Sequence, residues 1–173
     1  MTLLDDAIHL LFPAQCCGCG QPLAAHERYV CGHCLYELGL TRHANRAGNT
    51  TELLLSERIP LTAGFSLLGF ADTETTRHLL HHIKYHGNRR LAHHLGLLLG
   101  DALAASHRFD DVDLLLPIPL HPIRQRHRVY NQSLELCRGI AKGFPRPISH
   151  GDIIRTVNNK TQTTLSRTQR TEN

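Results

Sequence analysis

The chain has 173 residues, 41% of them hydrophobic and 20% charged, a balance that supports a packed core and excludes global disorder. Its formal net charge of +4 suits an anionic partner without demanding one. No apolar run approaches the ~20 residues of a spanning helix. The opening Met1–Asp6 carries two acids and no basic n-region, so we expect no membrane span, no secretory signal and a cytoplasmic location.

Residues 3–12 place apolar side chains at helical spacing and predict a short amphipathic helix stopped by Pro13. The cysteine-rich segment follows, and residues 1–38 are expected to form one small module. Residues 39–60, with Gly, Asn, Thr and Pro60, read as a linker holding at most a short element. From 61 to 173 the pattern alternates. Residues 64–70 read as a strand. Asp72 is placed to cap a helix through His78, Leu79, Leu80 and Ile83, with Glu74 favourable in its first turn. Gly87 and Asn88 break it. A second helix carries Leu91, Leu95, Leu98 and Leu99 on one side and ends near His107. The apolar run 112–116, stopped by Pro117, suits a buried parallel strand. A basic loop, a helix over about 133–142 and a short strand at 152–154 complete the series. Strands separated by helices predict an α/β fold with a mainly parallel sheet. The polar stretch 155–173 has no period and reads as a loop.

Cys16-x-x-Cys19 and Cys31-x-x-Cys34 have the spacing of a four-sulfur zinc site. Each C-x-x-C turn aims two thiolates at one point, and Gly18, Gly20 and Gly32 ease the turns. With every position taken by sulfur, such a zinc is structural and leaves no place for a catalytic water. The alternatives are a redox dithiol or unrelated reduced cysteines. His26 and His33 are substitute ligands on this spacing, Cys17 is a spare thiol, and Cys137 reads as a packed core thiol.

Arg124, Arg126 and Arg128 follow the run that ends at Pro117-Ile118-Pro119. Guanidinium groups and turn amides at the carboxyl end of a strand suit a phosphate, and a solvated basic loop is the alternative. In the stretch 155–173, Arg155, Lys160, Arg167 and Arg170 alternate with Thr, Gln and Asn, all of them phosphate donors; a disordered basic end is the alternative. His78, His82 and His86 stand four apart on the first long helix and could meet a metal, although such residues more often form a solvated face.

Several of these segments together resemble the ComF family. They are the CxxC pairs, His82-Ile83-Lys84-Tyr85-His86-Gly87, Leu91-Ala92-His93-His94-Leu95-Gly96, and Pro117-Ile118-Pro119-Leu120-His121-Pro122-Ile123-Arg124 with Arg128 and Asn131-Gln132-Ser133. Arg155, Thr156, Thr161-Gln162-Thr163, Leu165-Ser166, Arg167, Arg170 and Asn173 complete the likeness. The resemblance implies a zinc-ribbon-like module joined to a type I phosphoribosyltransferase domain, hence a glycosyl-transferring enzyme that takes phosphoribosyl pyrophosphate with Mg²⁺. Pro119, Leu120, His121, Arg124 and Arg128 would then bind pyrophosphate. Arg155, Gln162, Thr163, Arg167 and Arg170 would lie on a flexible loop closing over the ligand, and Lys84 and Tyr85 near a hood.

Members of the family are implicated in competence and DNA uptake, with DNA-uptake proteins or single-stranded DNA as partners. Two departures stand out. Arg128-Val129-Tyr130-Asn131-Gln132 replaces the family's Arg-Gly-Phe-Asn-Gln. The family's paired-Asp, Thr-Thr-Gly phosphate loop has no counterpart in these residues. The resemblance therefore implies an incomplete, catalytically impaired transferase. The rival expectation is a zinc-containing adaptor that binds DNA or a protein without catalysis.

Overall fold

The computed structural model describes residues 13–69, 73–128, 130–149 and 151–158. These residues build six α-helices and one 3₁₀ turn: α1 (Gly32–Glu37), the 3₁₀ turn His43–Asn45, α2 (Thr50–Ser56), α3 (Glu74–Lys84), α4 (Arg89–Ser106), α5 (Pro122–Arg128) and α6 (Gln132–Gly143). The helix expected over 3–12 lies outside the described residues.

The three longer helices fall where periodicity places them. α3 buries Thr75, Leu79 and Ile83, one residue per turn. Its cap is Thr73, whose hydroxyl accepts from the Thr76 amide at 3.2 Å; Asp72, the expected cap, lies outside the described residues. Gly87, at φ 63°, turns the chain, and Asn88 caps α4 by accepting from Leu91 N at 3.0 Å. Asn131 caps α6 through Ser133 N and Leu134 N, at 2.9 and 3.4 Å.

The expected parallel sheet does not form among the described residues. Among the described residues the extended segments meet only at isolated bridges, Leu40 with Leu68 and Leu115 with Ile148 outside the cysteine segment. At the second, Leu115 N donates to Pro147 O at 2.9 Å and Ser149 N donates to Leu115 O at 3.0 Å. Pro117, Pro119, Pro145 and Pro147 flank that bridge without amide hydrogens, so no ladder extends from it. Leu114 and Leu116 stay about half exposed. Residues 152–154 bend instead of pairing, leaving Ile153 and Ile154 exposed. An apolar run is common to strands and to irregular packed segments, and here period alone misleads. The described chain is helical, and the α/β reading is corrected accordingly.

α4 and α6 hold the molecule together through glycine. Gly96 lies against Leu136 and Gly139, Gly100 against Ile140, and Gly143 against Gly100 and Asp101. The pairs advance together along both chains, so the helices run parallel. A Cβ at Gly96, Gly100 or Gly139 would overlap the facing backbone. The small-x-x-x-small spacing in each helix thus brings backbone against backbone. One hydrophobic cluster then joins Cys16, Leu23, Val30, Cys34 and Leu38 to Leu79, Ile83, Leu91, Ala92, Leu95 and Tyr130.

Residues 39–69 are tied down by polar contacts. Buried Asn49 donates its amide hydrogens to the carbonyls of His43, Arg46 and Gly64, at 2.8–3.2 Å. Arg108, just past α4, donates to the Ala44 carbonyl at 3.2 Å and to Glu52 Oε1 at 2.6 Å.

Candidate metal centre and adjoining cavity

The two C-x-x-C turns meet because the chain between them doubles back. Cys16 N donates to Gln21 O at 2.8 Å, and Gly20 takes φ +73° to complete the first turn. Tyr29 adopts φ 63°, and its carbonyl accepts from Cys17 N at 2.7 Å, which lays the second turn over the first. Glu27 bridges the loop, accepting from Ala24 N and Gly32 N at 2.8 and 2.7 Å. The Gly32 amide, then that of Ala24, hold its carboxyl below the usual range. Cys31 is the N-cap of α1 and Cys34 its third residue, so the helix start presents both sulfurs on one side.

The four sulfurs all lie within 4.8 Å of one another. Cys19 Sγ and Cys31 Sγ are 3.8 Å apart. A zinc tetrahedron with Zn–S bonds of ~2.3 Å has sulfur–sulfur edges of ~3.8 Å, so the set fits zinc after small side-chain rotations. Amides support the sulfurs: Gly18 N and Cys31 N point at Cys16 Sγ, at 3.3 and 3.2 Å, and Cys34 N at Cys31 Sγ, at 3.5 Å. Burial pushes the Cys16 thiol up, but the amides of Cys31, Cys19 and Gly18 outweigh it and bring it to about 7. Burial, and then the neighbouring sulfurs, drive the Cys34 thiol far above its ordinary range. Four crowded sulfurs resist ionising together, and a divalent cation is what removes that resistance.

Cys16 and Cys34 are buried, Cys31 is half-buried and Cys19 is exposed. His26 and His33 are exposed and stand outside the set; His33 faces Glu37 at 3.6 Å. Cys17 accepts from Asn88 Nδ2 at 3.5 Å, and burial raises its thiol. Cys137 is buried in α6 and raised by burial alone. α3 backs the centre. His78 Nδ1 meets Gly18 O at 3.0 Å, and Thr75 Oγ1 lies 4.0 Å from Cys34 Sγ while donating to Glu37 at 2.8 Å. Neither α3 residue was singled out in this role by spacing, because the contacts lie 60 and 41 residues away in sequence.

A cavity of about 680 Å³ opens between the first residue of α4, α6 and residues 117–122 and 151–156. Pro119, Leu120, His121 and Arg155 line it, together with Arg89, Arg138, Glu135 and Tyr130. Arg124 and Arg128 do not. Arg124 donates Nε to Asn158 Oδ1 at 3.2 Å, because residues 122–128 form α5 and not a loop. Gln162, Thr163, Arg167 and Arg170 lie outside the described residues. Arg89 and Arg138, missed in the sequence, enter because each sits near the start or middle of a helix facing the cavity. Arg138 also pairs with buried Glu135 at 2.7 Å.

The sequence profile of a family described as NinF protein matches residues 15–39, the stretch that holds the four cysteines. No ComF or phosphoribosyltransferase profile matches. No curated protein and no solved structure matches the chain. The ComF resemblance is therefore corrected. The short motifs that carried it are not accompanied by a family match, and the parallel sheet that a type I phosphoribosyltransferase needs is absent among the described residues. Phosphoribosyl transfer, competence and DNA uptake go with it, as does Mg²⁺-bound phosphoribosyl pyrophosphate. No helix among the described residues is long and apolar enough to cross a membrane.

Proposed function

We propose that the chain is a zinc-stabilised adaptor that binds a phosphate-bearing partner without catalysis at the metal. The observation that carries this is the convergence of four cysteine sulfurs within 4.8 Å. A zinc held there by four thiolates has no vacant position for water or substrate, so its contribution is folding energy. The cavity beside α4 supports the binding half. Arg89, Arg138 and Arg155 line it against the single carboxylate of Glu135, and the excess positive charge favours phosphate oxygens. Single-stranded nucleic acid is the partner class we favour.

Two measurements test the two halves separately. Metal analysis of folded, reduced protein should return about one zinc per chain, lost in Cys34→Ser. Anisotropy with a labelled single-stranded oligonucleotide should show binding that weakens steeply between ~50 and ~200 mM salt, and Arg138→Ala should weaken it. Salt-independent binding, or none at low salt, overturns the nucleic-acid half and leaves the zinc half standing.

A further inference from the structure

The end of α3 carries a second cluster of metal-binding side chains, away from the cysteines. His81 lies in the last turn of α3, and His86 follows its C-cap Tyr85. Gly87, at φ 63°, ends the helix there and folds the following chain back. His86 Nε2 lies 3.0 Å from His81 Nδ1. The rings stand 4.9 Å apart, inclined at 62°. Both residues are exposed. His82 stacks beside His86 at 4.9 Å, and Tyr85 beside His81 at the same distance.

Two imidazole nitrogens this close share one hydrogen when both rings are neutral. On an exposed surface that bond competes with water and holds little. A metal ion uses the same geometry better. With metal–nitrogen bonds of ~2.1 Å, two nitrogens 3.0 Å apart subtend about 90° at the ion. That is the cis angle of square-planar, tetragonal or octahedral coordination, whereas a tetrahedral ion would need the nitrogens ~3.4 Å apart.

We propose that His81 and His86 form a two-imidazole site for a divalent ion of the Ni²⁺ and Cu²⁺ class, distinct from the zinc centre. The ion replaces the shared hydrogen, which moves through solvent to the far nitrogen of its own ring, so two neutral rings lose no net proton on binding. The rings turn about χ2, a broad torsion in histidine, to aim both lone pairs at the ion. Water fills the remaining positions. His82 stands half-buried beside the pair.

The probe is Ni²⁺, titrated calorimetrically into zinc-loaded full-length protein at neutral pH. One site should appear. His81→Ala and His86→Ala should each weaken it by about tenfold or more, because each converts a chelate into a single ligand. His107→Ala, an exposed histidine elsewhere, should leave it unchanged. On the unaltered protein, Ni²⁺ should broaden the imidazole NMR signals of His81 and His86 before those of other histidines. Unchanged affinity in His86→Ala, equal loss in His107→Ala, or earlier broadening at other histidines overturns the proposal.

Discussion

Gly18 sits where the first cysteine turn is pressed against the second. A Cβ built there would lie 2.8 Å from Cys34 Sγ and 3.0 Å from Thr75 Cγ2. Gly18→Ala must therefore move a zinc ligand or α3, and we expect a loss of about 1–3 kcal/mol together with a fall in zinc affinity of about tenfold, read by chelator competition. Gly20→Ala is the contrast. Nothing lies within 4 Å of its Cβ, but φ is +73°. It should cost about 1 kcal/mol in thermal unfolding with zinc affinity unmoved. Tyr130 makes a related point about what can be read from residue types. Its aromatic ring is buried. Its hydroxyl, which donates to the Ile83 carbonyl at 2.5 Å, could not be placed from sequence because α3 is 47 residues away. Tyr130→Phe keeps the ring and removes the bond, and urea unfolding should show about 1 kcal/mol of lost stability. Glu52 gives a pH signature. The Arg108 guanidinium, and then the amides of Gly64 and Gly48, hold its carboxyl down at about 2. A depressed carboxyl contributes stability that is fully present above its ordinary value near 4.5 and is lost as pH falls toward 2. Glu52→Gln should flatten the stability profile over that window and leave the slope above pH 5 unchanged.

At the scale of elements, α3, α4 and α6 were legible because each carries apolar residues at helical spacing behind an effective cap. α2 was not, since its Leu53, Leu54 and Leu55 are consecutive and largely exposed and mark no face. α5 was hidden by its composition. Arg124, Arg126 and Arg128 alternate through a stretch flanked by prolines, which reads as a basic loop, although Pro122 is acceptable at the first turn of a helix. The contact between α4 and α6 was missed for another reason. Leucine periodicity draws attention to one face of α4, while the face that meets α6 is marked by the absence of side chains at Gly96 and Gly100. The same absence recurs at Gly139 and Gly143. Gly139→Ala should push the two backbones apart and cost more than a helix-favouring substitution returns, about 2 kcal/mol or more net in thermal unfolding. An alanine at solvent-facing Gly48, at φ +64° with nothing within 4 Å, should cost less.

For the whole molecule, the metal centre was legible, while the sheet expected from the sequence does not form among the described residues, and the difference is physical. Cysteine spacing specifies a local geometry that chain stereochemistry can close within about twenty residues. A strand is specified only by partners, and Leu115 finds one bridge between prolines. What the sequence also hid is that the cysteine turns share one apolar cluster with α3 and α4. That continuity has a consequence for zinc removal. Val30 and Cys34, fully buried, pack in the same cluster as Leu79, Ile83 and Leu91, and Gly18 touches α3 through Thr75 and His78. Stripping the metal should therefore not unfold a detachable knob. Excess chelator should lower the thermal midpoint of the helical signal itself, in a single transition that coincides with the near-ultraviolet signal of buried Tyr130. If the helical melt were unmoved by chelator while the tyrosine signal changed, or if two separated transitions appeared, the cysteine turns and the helices would be independent units and the shared cluster too weak to couple them.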